Sequence, residues 1–459
     1  MAKMSSPFLL PSRRAFLGSM AAGAAAFGGV GALSRLARAT ELDPIPDHYF
    51  IFCYFSGGWD ILLGLDPKDP DVFRPELNGD TFIQPAYGLL LDPTVNQEPM
   101  NSAVPGMDFG PYIGDLVNWA PRMSVVRGMS MDTLTHENGR RRFITGKPPA
   151  GLQARGSSMS SVLAACLGIH APVPNLSAQV ESFNVDQPVY ASALQVNSVE
   201  DLIAVLGPSN AALPPEVSSR VAALLDEFAA CETTQASSVL TTGLEQRLAA
   251  QNLVDQRIDA LFDFGSNDPD MVALREQYGF TSNQLSSAGA QAAMAATAIT
   301  ADVSRVVSIR VASGLDSHDN WAAEQGPAQR SGFNLVATLA ADLESRPFGN
   351  TGDSWLDHTT IVGFSEFSRT ALLNSRLGRD HALTNACFLL GAGVKGGTVV
   401  GASSDVGMAP QAVDLATGAV SAGGVILRPE HIHRSLLHMI GVEDDIDDLR
   451  ADAVGALLS

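Results

Sequence analysis

Several short segments of this chain concentrate side chains that bind metals or move protons. Ser56-Gly57-Gly58-Trp59-Asp60 sets an aspartate behind two glycines, which permit a tight turn and close backbone approach. Gly314-Leu315-Asp316-Ser317-His318-Asp319-Asn320 packs carboxylates, an imidazole and an amide into one run. Ser365-Glu366-Phe367-Ser368-Arg369-Thr370 and Gly378-Arg379-Asp380-His381 add further carboxylates and a second imidazole. Mixed oxygen and imidazole donors suit Zn²⁺, Mn²⁺ or Fe better than Ca²⁺ or Mg²⁺. Each segment taken alone also reads as a polar turn or the cap of a helix. Their recurrence after successive apolar runs is what points to a shared site.

Thr133-Leu134-Thr135-His136-Glu137-Asn138-Gly139-Arg140-Arg141-Arg142 sets three arginines in a row inside an acidic protein. Guanidinium groups bind phosphate, sulfate or carboxylate in a bidentate manner, so the run suggests an anionic substrate group. The alternative is a basic surface turn paired with nearby acids. Elsewhere acid dominates: 49 Asp+Glu face 29 Lys+Arg, a formal charge of −20. That balance excludes a protein that tracks nucleic-acid phosphates with a basic face.

Positioning such residues requires a scaffold of buried strands, which read as short apolar runs bounded by turn residues. Tyr49–Phe55, Met123–Val126, Val306–Val311, Thr359–Phe364 and Cys387–Leu390 fit that description. Amphipathic helical patterns lie between them, at Ser158–Leu167, Val217–Ala230, Gly243–Phe264 and Phe333–Leu343. The alternation predicts an α/β fold with a mainly parallel central sheet and helices on both faces. Residues 151–300, rich in Ala, Gln and Ser, are expected to form a helical insertion in a single domain over 40–459. Short glycine-rich β segments and a helix over Pro429–Ile440 follow. Ligands of such sheets bind at the carboxyl ends of the strands, where the polar segments above fall.

The leader over residues 1–39 reads as a twin-arginine export signal. Ser12-Arg13-Arg14-Ala15-Phe16-Leu17 precedes a Gly/Ala-rich apolar run, and Ala37-Arg38-Ala39 offers a cleavage site. The expected location is the periplasm, reached through the twin-arginine export machinery. No later run is long and apolar enough to span a bilayer, so no integral membrane segment is expected in the mature chain. Cys53, Cys166, Cys231 and Cys387 have no short spacing and read as core thiols. Gly391-Ala392-Gly393-Val394-Lys395-Gly396 matches a dinucleotide fingerprint, but strand-like residues follow where a helix is required. His431, His433 and His438 lie near the C-terminal helix among leucines and read as packing or solvent-edge residues rather than metal ligands.

Taken together, the leader, Gly57-Gly58 with Asp60, the His136–Gly146 segment, Asp316-Ser317-His318, Ser365–Thr370, Gly378–His381 and Lys395-Gly396-Gly397 resemble the exported domain-of-unknown-function 1501 family. That family in turn looks like the alkaline phosphatase and sulfatase superfamily. The resemblance implies an alkaline-phosphatase-like core with one or two divalent ions, Zn or Mn, at the strand ends. By the same resemblance Asp60 and Glu366 would be metal carboxylates. Asp316, His318 and His381 would be ligands of the other metal, with Asp380 able to replace a neighbour. The segment from His136 to Gly146 is similar to the sulfatase nucleophile motif, with His136 where a Cys or Ser stands and Arg140 at the arginine's place.

The expected function is an exported metal-dependent hydrolase acting on a small anionic ester, a phosphate or sulfate, or on an anionic glycan. Metal-activated water or His136 would be the nucleophile, and Arg140 would bind the anion. The competing expectation is a non-catalytic periplasmic binding or assembly protein that keeps the fold.

Overall fold

In the computed structural model, which describes residues 44–73, 79–148, 150, 151, 153–208, 214–231 and 238–459, the apolar run Tyr49–Phe55 forms strand β1, buried along its whole length. Strands β2 (Met123–Ser130), β3 (Asn175–Ala178), β4 (Leu194–Val196) and β5 (Val306–Ala312) follow it. Next come β6 (Thr359–Phe364), the short β7 (Ser368–Arg369) and β8 (His381–Ala382), then β9 (Thr384–Gly391) and β10 (Thr398–Val400). Eight of these form one sheet in the order β10-β2-β9-β6-β1-β5-β3-β4, while β7 and β8 pair as a separate antiparallel ribbon. Only β9 runs antiparallel to its neighbours β2 and β6; the other pairings in the sheet are parallel.

Successive side chains of a strand point to opposite faces, and both faces here are covered. Phe50, Phe52 and Tyr54 of β1 share a buried cluster with helices α1 (His136–Thr145), α2 (Met159–Leu167) and the C-terminal helix Pro429–Met439. Phe55 instead meets Phe333 of the long helix Trp321–Ser345, with ring centroids 4.9 Å apart. The expectation of a mainly parallel sheet with helices on both faces holds. Its consequence is geometric: β1, β2, β5 and β6 end on one edge, and β9 begins there.

Helices α3 (Val199–Leu206), α4 (Pro215–Ala230) and α5 (Ser238–Asp255) come next in the chain. Glu200–Asp263 form a compact unit of their own, and the sheet belongs to the other unit. Helices α6 (Pro269–Tyr278), α7 (Ala288–Thr300), α8 (Trp321–Ser345) and α9 (Pro429–Met439) complete the set used below.

Two secondary-structure expectations need correcting. The stretch 151–300 is not purely helical, because β3 and β4 extend the sheet beyond β5. These strands have only four and three residues, Asn-Leu-Ser-Ala and Leu-Gln-Val, too short and too polar to stand out as apolar runs. Helix α8 starts at Trp321 rather than Phe333, running through Pro327. Its early turns carry buried Gln325 and Gln329, whose polarity hides the helix face in the sequence. The export signal expected over 1–39 lies outside the described residues. No described helix is long and apolar enough to cross a membrane.

α9 packs against α1 and carries fully buried His433, whose ring stands edge-on to Phe143 at 5.9 Å. Burial, aided by the nearby positive charges of Arg142 and Lys147, pushes its pKa down from 6.5 to about 3. A histidine held neutral in the fold but free to protonate when unfolded costs stability as pH falls from 6.5 toward 3. His433→Leu should therefore narrow the gap between urea unfolding midpoints measured at neutral and acidic pH. An unchanged gap would show that the ring does not govern acid sensitivity.

Candidate metal centre

The centre assembles where β1, β5 and β6 end. Gly57, just past β1, has φ +115°, and a Cβ there would lie 2.7 Å from the Leu315 amide nitrogen, so only glycine lets the β1 and β5 loops touch. The Gly57 amide donates to Glu366 Oε1 at 2.9 Å, tying the β6 loop to the same point. α1 reaches the centre because Gly139 packs directly against the Glu366 carbonyl, leaving no space for a side chain. The β7–β8 ribbon sets Arg369 opposite His381.

Three imidazoles meet at one carboxylate oxygen. Asp316 Oδ1 lies 3.3 Å from His136 Nε2, 3.1 Å from His318 Nε2 and 3.4 Å from His381 Nε2. The Nε2 atoms of His318 and His381 are 3.0 Å apart. Donor atoms of His136, Asp316 and His381 all lie within 4.8 Å of one another. Asp316 is half exposed, so the centre opens to solvent.

The far nitrogen of each ring is held by an oxygen. His136 Nδ1 faces Glu366 Oε1 at 2.8 Å, His318 Nδ1 faces Asp380 Oδ1 at 2.7 Å, and His381 Nδ1 faces the Leu134 carbonyl at 2.6 Å. Carboxylate and carbonyl oxygens accept but do not donate, so each Nδ1 carries a hydrogen, and the Nε2 atoms are left facing the Asp316 oxygen and, for His318 and His381, each other, contacts that a proton or a cation between them must bridge. This is the pattern by which outer partners orient metal-binding histidines.

The charges support it. The hydrogen bond from His136 opposes the effect of burial and keeps Glu366 ionised, below the usual carboxylate range. Glu366 in turn raises the pKa of His136, making it a stronger base. Burial lowers that of His381. Burial alone would raise Asp316, but the hydrogen bond and charge of Arg369, joined by His136 and His381, outweigh it and bring its pKa to about 2. Arg369 is fully buried and donates to Asp316 Oδ1 at 2.7 Å, to the Gly58 carbonyl at 2.9 Å and to the Gly57 carbonyl. It clamps Asp316 onto the β1 loop.

Asp316, His318 and His381 thus come together as the sequence suggests. Glu366 and Asp380 stand one layer out, holding His136 and His318 by their Nδ1 atoms. His136, expected at the nucleophile's place, points Nε2 into the cluster like the other two imidazoles.

Asp60 is engaged elsewhere. It is fully buried, with Oδ2 2.7 Å from Trp321 Nε1 and 3.0 Å from Arg379 Nε, and its Oδ1 accepts from the Leu62 amide at 2.9 Å. Gln329 brackets the Asp60 backbone, accepting from its amide and donating to its carbonyl, each at 2.9 Å. The aspartate serves as an internal counterion to Arg379. Sequence position cannot separate this role from ligation, since both place a carboxylate after a strand.

The arginine run also divides. Arg142 is buried and pairs with Asp132 at 3.0 Å and with Glu430. Arg140 and Arg141 share Glu181, at 3.0 and 3.1 Å. Arg140 lies four residues beyond His136 on α1, on the same helix face. Arg369 is the residue whose role sequence reasoning missed. Its only signal was its place in the Ser365–Thr370 motif.

A protein-family model described as "Protein of unknown function (DUF1501)" matches residues 48–422, most of the chain. No curated protein matches it.

Proposed function

We propose, for a chain that belongs to the DUF1501 family of proteins of unknown function, a metal-dependent hydrolase of anionic esters, phosphate or sulfate. The observation that carries this reading is the convergence of three Nε2 atoms on Asp316 Oδ1, each ring held from behind by an oxygen acceptor. His136, His381 and Asp316, whose donor atoms lie within 4.8 Å of one another, fit one divalent ion, Zn²⁺ or Mn²⁺, with His318 beside them. His136, His381 and Asp316 would hold it, while Glu366, Asp380 and Arg369 fix the orientation of these residues and of His318. Asp60, committed to Arg379, leaves a second ion without that carboxylate.

A divalent ion in such a setting supplies Lewis acidity toward an ester oxygen and makes water a usable nucleophile near neutral pH. His136 then acts as a ligand rather than as the acceptor of the transferred group. Arg140, one helical turn from His136, would receive a non-bridging oxygen of the ester. The placement of these residues at strand ends agrees with the alkaline phosphatase and sulfatase type. The leader over 1–39 would send the folded protein to the periplasm by the twin-arginine route.

The expected result is protein purified with close to one equivalent of Zn or Mn, turning over an aryl phosphate or an aryl sulfate. Chelation should abolish the activity, and the same metal should restore it. Protein that neither retains nor takes up metal, with no turnover of either ester, would overturn the hydrolase reading in favour of a non-catalytic binding or assembly role.

A further inference from the structure

A cleft of about 550 Å³ opens beside the centre, lined by Arg140, Gln179, Glu181, Gln195, Asn197 and Arg310 among others. It lies along the same sheet edge: Gln179 follows β3, Asn197 follows β4, and Arg310 sits near the end of β5, six residues before Asp316. Arg140 joins it to the centre, one helical turn from His136.

The lining is specialised. In a chain of net charge −20, two guanidinium groups enter one concavity. The single carboxylate there, Glu181, is already divided between Arg140 and Arg141. Among the described residues no carboxylate pairs with Arg310. The cleft is thus short of negative charge. Its other polar groups are neutral carboxamides, which exchange hydrogen bonds with hydroxyls without discriminating by charge. Gln179 is held with φ +56°, in the left-handed region, and its side-chain nitrogen donates to the carbonyls of Asn197 and Ser286. Those bonds set its orientation, and its Oε1 is buried without a donor.

We propose that this cleft is a subsite for an acidic sugar unit, a hexuronate, with Arg310 on its carboxylate and the carboxamides on its hydroxyls. The volume lies within the usual range for small-molecule sites, roughly 300–1,000 Å³. As a subsite of a substrate it rests on the hydrolase reading, and would make that substrate an ester carried on an acidic glycan. As a binding site it stands alone.

The test is ligand-observed NMR and calorimetry with D-glucuronate, D-glucose and inorganic sulfate, on both metal-loaded and chelator-treated protein. Glucuronate should bind both forms and exceed glucose and sulfate. Arg310→Gln should weaken it by about tenfold or more, as loss of a charge-assisted contact does, and Arg310→Lys should recover part of the loss. Both variants should keep the parent's metal content and unfolding midpoint. Equal binding of glucose, or of sulfate, would overturn the assignment, as would glucuronate binding that ignores both Arg310 variants. Metal uptake without any glucuronate binding would sink this inference and leave the hydrolase reading standing. Glucuronate binding by protein that takes up no metal would support the cleft and overturn the hydrolase.

Discussion

Asp316→Asn should lower metal affinity by about 100-fold or more, beyond the range of roughly 10–100-fold typical when an outer partner of a ligand is lost. Among the described residues, Asp316 Oδ1 is the oxygen that all three inward-facing imidazoles approach, at 3.1 to 3.4 Å. Asparagine keeps the shape but removes the charge that balances a divalent ion. Glu366→Gln changes only the layer behind His136, so its cost should be smaller, within the range for an outer partner. The measurement is metal content after desalting, followed by competition with a chromogenic chelator. Turnover should fall in the same order. If Glu366→Gln loses more metal than Asp316→Asn, the two carboxylates have been assigned to the wrong layers.

Asp60→Ala should destabilise the protein by about 3–5 kcal/mol, the cost of leaving a buried charge without its partner. Arg379 is completely buried, and its Nε sits 3.0 Å from Asp60 Oδ2. Its other nitrogens donate to the carbonyls of Thr370, Gln84 and Pro85, which provide no countercharge. The Trp321 indole would also lose its acceptor. Urea unfolding should register the loss, while each folded molecule retains its metal. The ligand role that the sequence suggested for Asp60 demands the reverse: metal lost with little change in unfolding. One variant therefore decides between counterion and ligand.

The fold was largely legible in the sequence where burial was complete. β1 and β6 appear at their expected bounds because strands covered on both faces are continuous apolar runs, and such runs announce themselves. β3 and β4 did not, since a three- or four-residue strand with Asn, Ser or Gln carries no such signal. Helix α8 was seen only in its apolar half, because its first turns use buried glutamines to hold the Asp60 loop.

For the site, the sequence by itself determined which residue types are present and that they follow strands, and a parallel sheet then dictates that they share one edge. Asp316, His318 and His381 were legible on those grounds. Only the tertiary structure decided the layers. It set His136 beside the other imidazoles, moved Glu366 and Asp380 behind them, and withdrew Asp60 into a pair with Arg379. The physical reason is that a carboxylate's role is set by what its two oxygens meet. For Asp60, Oδ1 meets the nearby Leu62 amide, while Oδ2 meets Trp321 and Arg379, both more than 250 residues away along the chain. Long-range packing, which no local spacing encodes, brings them together.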